Sequence, residues 1–213
     1  MTVPIPDDAA ILAVDVQNGF ISEKNELPVP GGAEVVPIVN RLVPLFPIRI
    51  ASQDWHPADH GSFASRNPGK KPFDIGRLGG VEQVFWPDHC VQGTRGAEFH
   101  PQFDVQPIQV IFRKGMHPGI DSYSVFADNS GRNPSGLDGY LRSRGARHLF
   151  LVGLALDYCV LFTSRDARRL LPEIPVTVVL DGCRPVDPAT GEKAVTEMRQ
   201  LQVRLLHLTD LGL

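Results

Sequence analysis

Cys159 is placed to act as a nucleophile. It closes the stretch Gly153-Leu-Ala-Leu-Asp-Tyr-Cys159, between an apolar run at 148–152 and residues 161–171, where apolar side chains recur at helical spacing. A thiol where a strand turns into a helix meets unpaired backbone N–H groups and the positive end of the helix dipole, and both favour thiolate. The alternative is a buried thiol that only fills space, the commoner fate of a cysteine. Asp15 and Lys114, each at the end of an apolar run, shift the balance. A thiol of ordinary pKa, about 8.5, needs a base or a cation beside it at neutral pH. Asp15 could take its proton and later protonate a departing amine, and Lys114 could stabilise the thiolate. Taken singly, Asp15 and Lys114 also read as a structural ion pair at a strand end.

A second set of residues could hold a metal. Asp54-x-His56 follows an apolar run, and His89 lies in Trp86-Pro-Asp-His-Cys90. One carboxylate and two imidazoles make an open site, with the remaining positions left to water or substrate. The donor set suits one divalent ion, Zn²⁺ first and Fe²⁺ or Mn²⁺ as well. His60 is either a further ligand or a surface histidine beside Asp59; the surface reading is preferred, as it is for His100, His117, His148 and His207. Phe20, Trp86 and Tyr123 are candidates to line a pocket for a flat aromatic substrate, set against ordinary core packing. Cys90 and Cys183 read as structural thiols.

The elements that must position these groups are short apolar runs, each ending in one of them. Residues 9–14 end at Asp15, 48–52 lead to Asp54 and His56, 108–112 to Lys114, and 148–152 to Cys159; runs at 176–180 and 203–208 complete six strands. Helices are expected at 33–46, with Pro44 ending or kinking the first, at 137–144 closed by Gly145, at 160–171 and at 188–201. Alternating strands and helices predict an α/β fold: a six-stranded parallel sheet flanked by helices on both faces. An order of 3-2-1-4-5-6 would make strands one and four neighbours and bring Asp15 opposite Cys159, at the carboxyl edge where such sheets bind ligands. Residues 58–106 show no regular periodicity and read as a site-building insertion within a single domain spanning 1–213.

The bulk composition narrows the class. A chain of 213 residues, 42% apolar and 21% charged, is that of an ordinary soluble globular enzyme. A net charge of −3 gives no reason to expect nucleic acid or a membrane surface as partner. No stretch reads as a transmembrane helix, and the N-terminal residues lack the basic and apolar regions of a signal peptide. Three cysteines with no CxxC pair argue against a disulfide framework and for a reducing compartment, the cytoplasm.

Six motifs together resemble the isochorismatase-like cysteine hydrolases: Asp15-Val-Gln-Asn-Gly-Phe20, Ser52-Gln-Asp-Trp-His-Pro57, Trp86-Pro-Asp-His-Cys90, Phe112-Arg-Lys-Gly115, Asp121-Ser-Tyr-Ser-Val-Phe126 and Gly153-Leu-Ala-Leu-Asp-Tyr-Cys159. The resemblance runs from about residue 11 to 183. The metal pair, Asp54-Trp-His56 with Trp86-Pro-Asp-His89, is similar to that of the nicotinamidases within this family. The resemblance implies an Asp15–Lys114–Cys159 triad, a metal on Asp54, His56 and His89, and a cis peptide between Leu154 and Ala155. That bond would turn the Ala155 N–H toward the Cys159 N–H to form an oxyanion hole. It further implies hydrolysis of nicotinamide to nicotinate and ammonia through a cysteine thioester, within NAD salvage, with pyrazinamide accepted too and no organic cofactor. A related cysteine hydrolase acting on another small amide or a carbamoyl compound is the alternative. The resemblance leaves a homo-oligomer open. Leu156 stands where related enzymes commonly carry threonine, which removes a polar contact.

Overall fold

The structure is a computed structural model and describes residues 2–21 and 26–213. The first strand, β1 (Ala9–Val14), is six apolar residues, all fully buried. Burial along the whole strand requires cover on both sides, and successive side chains go to opposite faces. Ala9, Ile11 and Ala13 join one core, and Ala10, Leu12 and Val14 the other. A short helix, α1 (Asn18–Ile21), follows, and then α2 (Val35–Leu42), which lays Val35, Val36, Val39 and Leu42 on the first core. At Pro44 the α-helix has already given way to a single 3₁₀ turn, Val43–Leu45, and the chain extends at Phe46. Proline cannot continue the hydrogen-bond ladder, so the helix ends where expected.

Strand β2 (Ile48–Asp54) pairs in parallel with β1, and β5 (Val110–Lys114) pairs in parallel with β2. On the other side of β1 lies β6 (His148–Leu154), then β7 (Val176–Arg184) and β8 (Arg204–Leu206), all parallel. The sheet order is β5-β2-β1-β6-β7-β8, the expected 3-2-1-4-5-6 when its six strands are counted along the chain. Helices α3 (Leu137–Ser143), α4 (Leu161–Leu170) and α5 (Pro188–Gln200) cover the second core through Leu137, Leu141, Leu161, Ala167, Ala194 and Met198. No helix among the described residues is long and apolar enough to cross a membrane.

The segment 58–106 is less irregular than its sequence suggests. It contains an antiparallel hairpin of β3 (Ile75–Leu78) and β4 (Val81–Val84), joined by Gly79 and Gly80 with φ of 60° and 88°. Two consecutive positive φ angles are what a tight two-residue hairpin turn demands, and glycine supplies them without steric cost. The turn signal is present in the sequence, but the flanking residues alternate too weakly to announce strands. Beyond the hairpin, Trp86, Ala97 and Phe103 pack on the same core as α2.

At the carboxyl edge β1 and β6 approach unusually closely. Gly153 lies opposite Val14 with φ of 114°, and a Cβ there would meet the Val14 carbonyl oxygen at 2.1 Å. Only glycine allows the two strands that deliver Asp15 and Cys159 to stay paired to their ends.

Candidate active site

Asp15 leaves β1 with φ of 49°, a left-handed conformation uncommon outside glycine. The Ser52 hydroxyl, on β2, donates to Asp15 Oδ1 at 2.6 Å and accepts from the Asp15 N–H at 3.2 Å. Asp15 Oδ2 forms an ion pair of 2.9 Å with Lys114 Nζ at the end of β5. The same ammonium lies 3.3 Å from Cys159 Sγ, donates to the Ser122 carbonyl at 3.2 Å, and forms a short contact with Asp54 Oδ1. The expected three residues thus meet, with Lys114 at the centre. All are buried: Asp15 is 0%, Lys114 5% and Cys159 6% exposed.

Electrostatics in this dry corner follow from burial and that one cation. Burial raises the Asp15 carboxyl above its ordinary range, against the pull of Lys114. Burial also disfavours the charged forms of Asp54 and Lys114, but the attraction of Lys114 to Asp15 and Asp54 outweighs it. Asp54 is held well below the usual carboxylate range, and Lys114 well above that of a free lysine. For Cys159 burial dominates: the thiol is pushed well above its ordinary range although Lys114 pulls the other way. This corrects the expectation of a thiolate favoured by the helix end. Cys159 lies in a π turn, Leu156–Val160, ahead of α4, and desolvation of the sulfur outweighs what the turn and the ammonium offer. The resting form is therefore the thiol, which needs a base at the moment of attack.

Asp54 Oδ2 faces His56 Nε2 at 3.7 Å and His89 Nε2 at 3.8 Å. His56 Nδ1 lies 2.9 Å from the Gly115 carbonyl and His89 Nδ1 2.8 Å from the Pro87 carbonyl. A carbonyl only accepts, so each Nδ1 carries the proton and each Nε2 turns its lone pair toward Asp54. A backbone carbonyl fixing the tautomer is the support metal-binding histidines ordinarily have. These three buried donors lie within 4.8 Å of one another and fit a divalent ion, leaving open positions toward the cavity.

His60 is not a surface residue. It is fully buried, 4.3 Å from the His56 ring, and belongs to a second close group with His56 and Asp121. The short 3₁₀-containing segment after β2 folds back over the site and takes His60 with it. Burial, with His56 adding to it, holds His60 down to about 4. The Ser62 N–H donates to His60 Nδ1 at 3.2 Å, so the neutral ring carries its proton on Nε2. That nitrogen is a donor and has no partner among the described residues. The remaining histidines sit away from the site: His148 pairs with Asp8, His207 with Asp181, and His117 Nδ1 accepts the Gly119 N–H. Cys90 and Cys183 are buried thiols pushed upward by desolvation, Cys183 to about 12.

A small cavity opens against Cys159 and the Asp54–His56–His89 group. Its walls include the three expected aromatic residues, Phe20, Trp86 and Tyr123. Trp86 Nε1 donates to the Tyr123 hydroxyl at 3.2 Å, which locks the two rings edge to face. Leu27, Val29, Asp121, Tyr158 and Val186 also line it, and sequence reasoning did not single them out. Asp121 and Tyr158 stand inside motifs already noted; Leu27, Val29 and Val186 are ordinary apolar residues in loops and carry no signal. The Leu154–Ala155 peptide is cis, as the resemblance implied, and Ala155 borders the cavity beside Cys159.

A buried thiol, carboxylate and ammonium at a parallel-sheet edge, facing an aromatic cavity with a metal-binding wall, define a cysteine hydrolase of the isochorismatase type. The chain belongs to that family: the model of the Isochorismatase domain matches residues 9–210. It is 45% identical over 207 residues to a nicotinamidase of Escherichia coli (strain K12), covering 94% of this chain and 95% of the relative. Among solved structures it is similar to a nicotinamidase and pyrazinamidase from Acinetobacter baumanii, with 40% identity, a TM-score of 0.92 and coverage of 97% and 99%. It is also similar to a pyrazinamidase of Pyrococcus horikoshii in complex with zinc, with 31% identity, a TM-score of 0.76 and coverage of 94% and 99%.

Proposed function

We propose that this protein is an amidohydrolase that converts nicotinamide to nicotinate and ammonia, with pyrazinamide as a second substrate, and that residues 1–213 act as one domain. The observation that carries the reading is the meeting of Asp15, Lys114 and Cys159 against a small aromatic cavity with a three-donor metal wall. The identity to nicotinamidases across almost the whole chain supports the choice of amide.

The chemistry runs as covalent catalysis. The ring of the substrate lies among Phe20, Trp86 and Tyr123, with its carboxamide at Cys159. Asp15, whose carboxyl is raised above its ordinary range by burial, takes the thiol proton as Sγ attacks the carbonyl carbon. Lys114 stays charged throughout and stabilises the sulfur as it becomes anionic. The N–H groups of Ala155 and Cys159 receive the oxyanion, a contact whose loss typically costs about 2.7–4 kcal/mol of barrier. Asp15 returns the proton to the departing ammonia, and an acyl-cysteine thioester remains. Asp15 next takes a proton from a water as that water attacks the thioester. Nicotinate leaves and the sulfur is reprotonated. Asp54, His56 and His89 would hold a divalent ion, zinc before iron or manganese, which supplies a Lewis-acidic centre on the cavity wall. No organic cofactor is required. The three unpaired thiols suit a reducing, cytoplasmic setting.

The test is ammonia release from nicotinamide by the metal-loaded protein and by Cys159→Ala, each with and without prior chelation. Release by the parent protein and none by the variant is expected. Release that survives in Cys159→Ala would remove the covalent scheme. No release by the parent would move the reaction to another small amide or a carbamoyl compound within the same family.

A further inference from the structure

Asp157 sits two residues before the nucleophile in the same π turn, 6% exposed, and is used by none of the steps above. Among the described residues, every hydrogen bond to its carboxylate comes from a donor on the segment that opens α5. Oδ1 accepts the Val186 N–H at 2.9 Å, and Oδ2 accepts the Asp187 N–H at 3.3 Å together with the Thr190 hydroxyl. Asp187 itself caps α5 by accepting from Ala189 and Thr190 N–H groups. The start of a 13-residue helix therefore meets two carboxylates, an arrangement the helix dipole favours. No lysine or arginine forms an ion pair with Asp157 among the described residues, so backbone and hydroxyl donors alone hold its charge.

What this tether fixes is a wall of the cavity. Val186, whose N–H is bound by Asp157, lines the cavity and is half-buried, as is Tyr158, the next residue after Asp157. These two residues line the cavity at opposite ends of the tether: Tyr158 on the nucleophile turn, Val186 on the loop before α5. The pairing of β6 and β7 ends at Leu154 and Arg184, and beyond those ends the Asp157 carboxylate joins the two segments, which belong to different crossovers of the sheet.

We propose that Asp157 is a positioning residue for substrate size: by clamping the Val186 loop to the nucleophile turn it fixes the width of the cavity mouth, and so excludes ring-substituted carboxamides. The proposal rests on the reading of the site as a pyridine-carboxamide hydrolase. The chemical requirement is specific. Each oxygen faces at least one backbone N–H, so the amide of an asparagine would set its own N–H against one of them and release that side of the clamp.

The experiment compares kcat and KM for nicotinamide with those for nicotinamides methylated at ring C5 or C6, in the metal-loaded protein. The variants are Asp157→Asn, Thr190→Val, Thr190→Ser, Val186→Ala, and Asp157→Asn combined with Val186→Ala. A methyl group against a well-formed apolar wall is discriminated by roughly 10–200-fold. In Asp157→Asn the preference for nicotinamide over at least one methylated analogue should fall by about tenfold, with KM for nicotinamide raised. Thr190→Val should move the preference in the same direction by less, and Thr190→Ser should restore it. Because Asp157 acts through Val186, the double variant should lose no more selectivity than the greater of its single variants. Unchanged preference in both Asp157→Asn and Thr190→Val overturns the proposal. So does an equal loss of kcat on all substrates with KM unchanged, or full additivity in the double variant. Should Asp157→Asn fail to fold, Thr190→Val and its serine rescue decide alone. A parent protein that hydrolyses none of these amides overturns the reading of the site and the proposal with it, whereas parent activity with unaltered selectivity overturns the proposal only.

Discussion

Lys114 and Asp54 are the joint between the two halves of the site. The ammonium contacts Asp54 Oδ1, while Oδ2 of the same carboxylate faces His56 and His89. The nucleophile group and the metal group therefore share one carboxylate, and a change at either is felt at the other.

Replacing Lys114 by methionine should be severe. It leaves Asp15 and Asp54 buried together without their cation, and removing one partner of a buried pair costs about 3–5 kcal/mol. The sign of its pH dependence follows from the two shifts. Asp54 is depressed, so its contribution is present above the ordinary aspartate range and is lost as pH falls through its folded value. Lys114 is raised, so its contribution is complete below the ordinary lysine value and fades only as pH rises through the higher folded one. In chelator-treated protein, urea unfolding should show a parent-minus-variant difference that shrinks toward acid, because Asp15 and Asp54, left without their cation in the variant, are relieved by protonation. A difference that grows on acidification would contradict the assignment.

Thiol chemistry should separate Cys159 from the other two cysteines. Burial raises all three thiols, but only Cys159 borders the cavity and has an ammonium beside it. Iodoacetamide treatment of the native protein, read by peptide mass spectrometry, should label Cys159 alone, and faster as pH rises. Lys114→Met should shift that profile to higher pH, since the ammonium opposes the upward push of burial. Modification of native Cys90 or Cys183 would show that those thiols are not held in the core.

His89→Ala should strip the metal. Loss of an outer partner alone commonly lowers metal affinity by about 10–100-fold, and a direct ligand should cost more. Elemental analysis after gel filtration would read this directly, and metal content equal to that of the parent would show that His89 is not a ligand.

Tyr123→Phe tests the aromatic wall. It removes the acceptor for the Trp86 indole N–H and a contact of Gln83 Nε2, both buried. An orphaned buried donor costs about 1–3 kcal/mol, so thermal stability should fall and KM for nicotinamide rise, with kcat less affected. An unchanged KM would place the substrate ring elsewhere in the cavity.

Much of this was legible along the chain. The strands β1, β2, β5 and β6 are apolar runs that end in reactive residues, and in a parallel sheet all such ends gather at one edge. Composition and order thus determined the α/β class and the gathering of Asp15, Asp54, Lys114 and Cys159 at one edge, while the strand order 3-2-1-4-5-6 was an assumption that the structure matches. Three things were decided only in three dimensions. His60 reads as a surface histidine because local sequence says nothing of a segment that folds back over the site and buries it. The net push on the Cys159 thiol is not legible from helix position, which is local, because desolvation depends on everything packed around the sulfur. Leu27, Val29 and Val186 became cavity walls, and Asp157 a clamp, because loops far apart in sequence were brought together by the sheet. Periodicity and motif record what a residue does with its neighbours in the chain; burial, shared hydrogen-bond partners and the shape of a cavity belong to residues that meet only after folding.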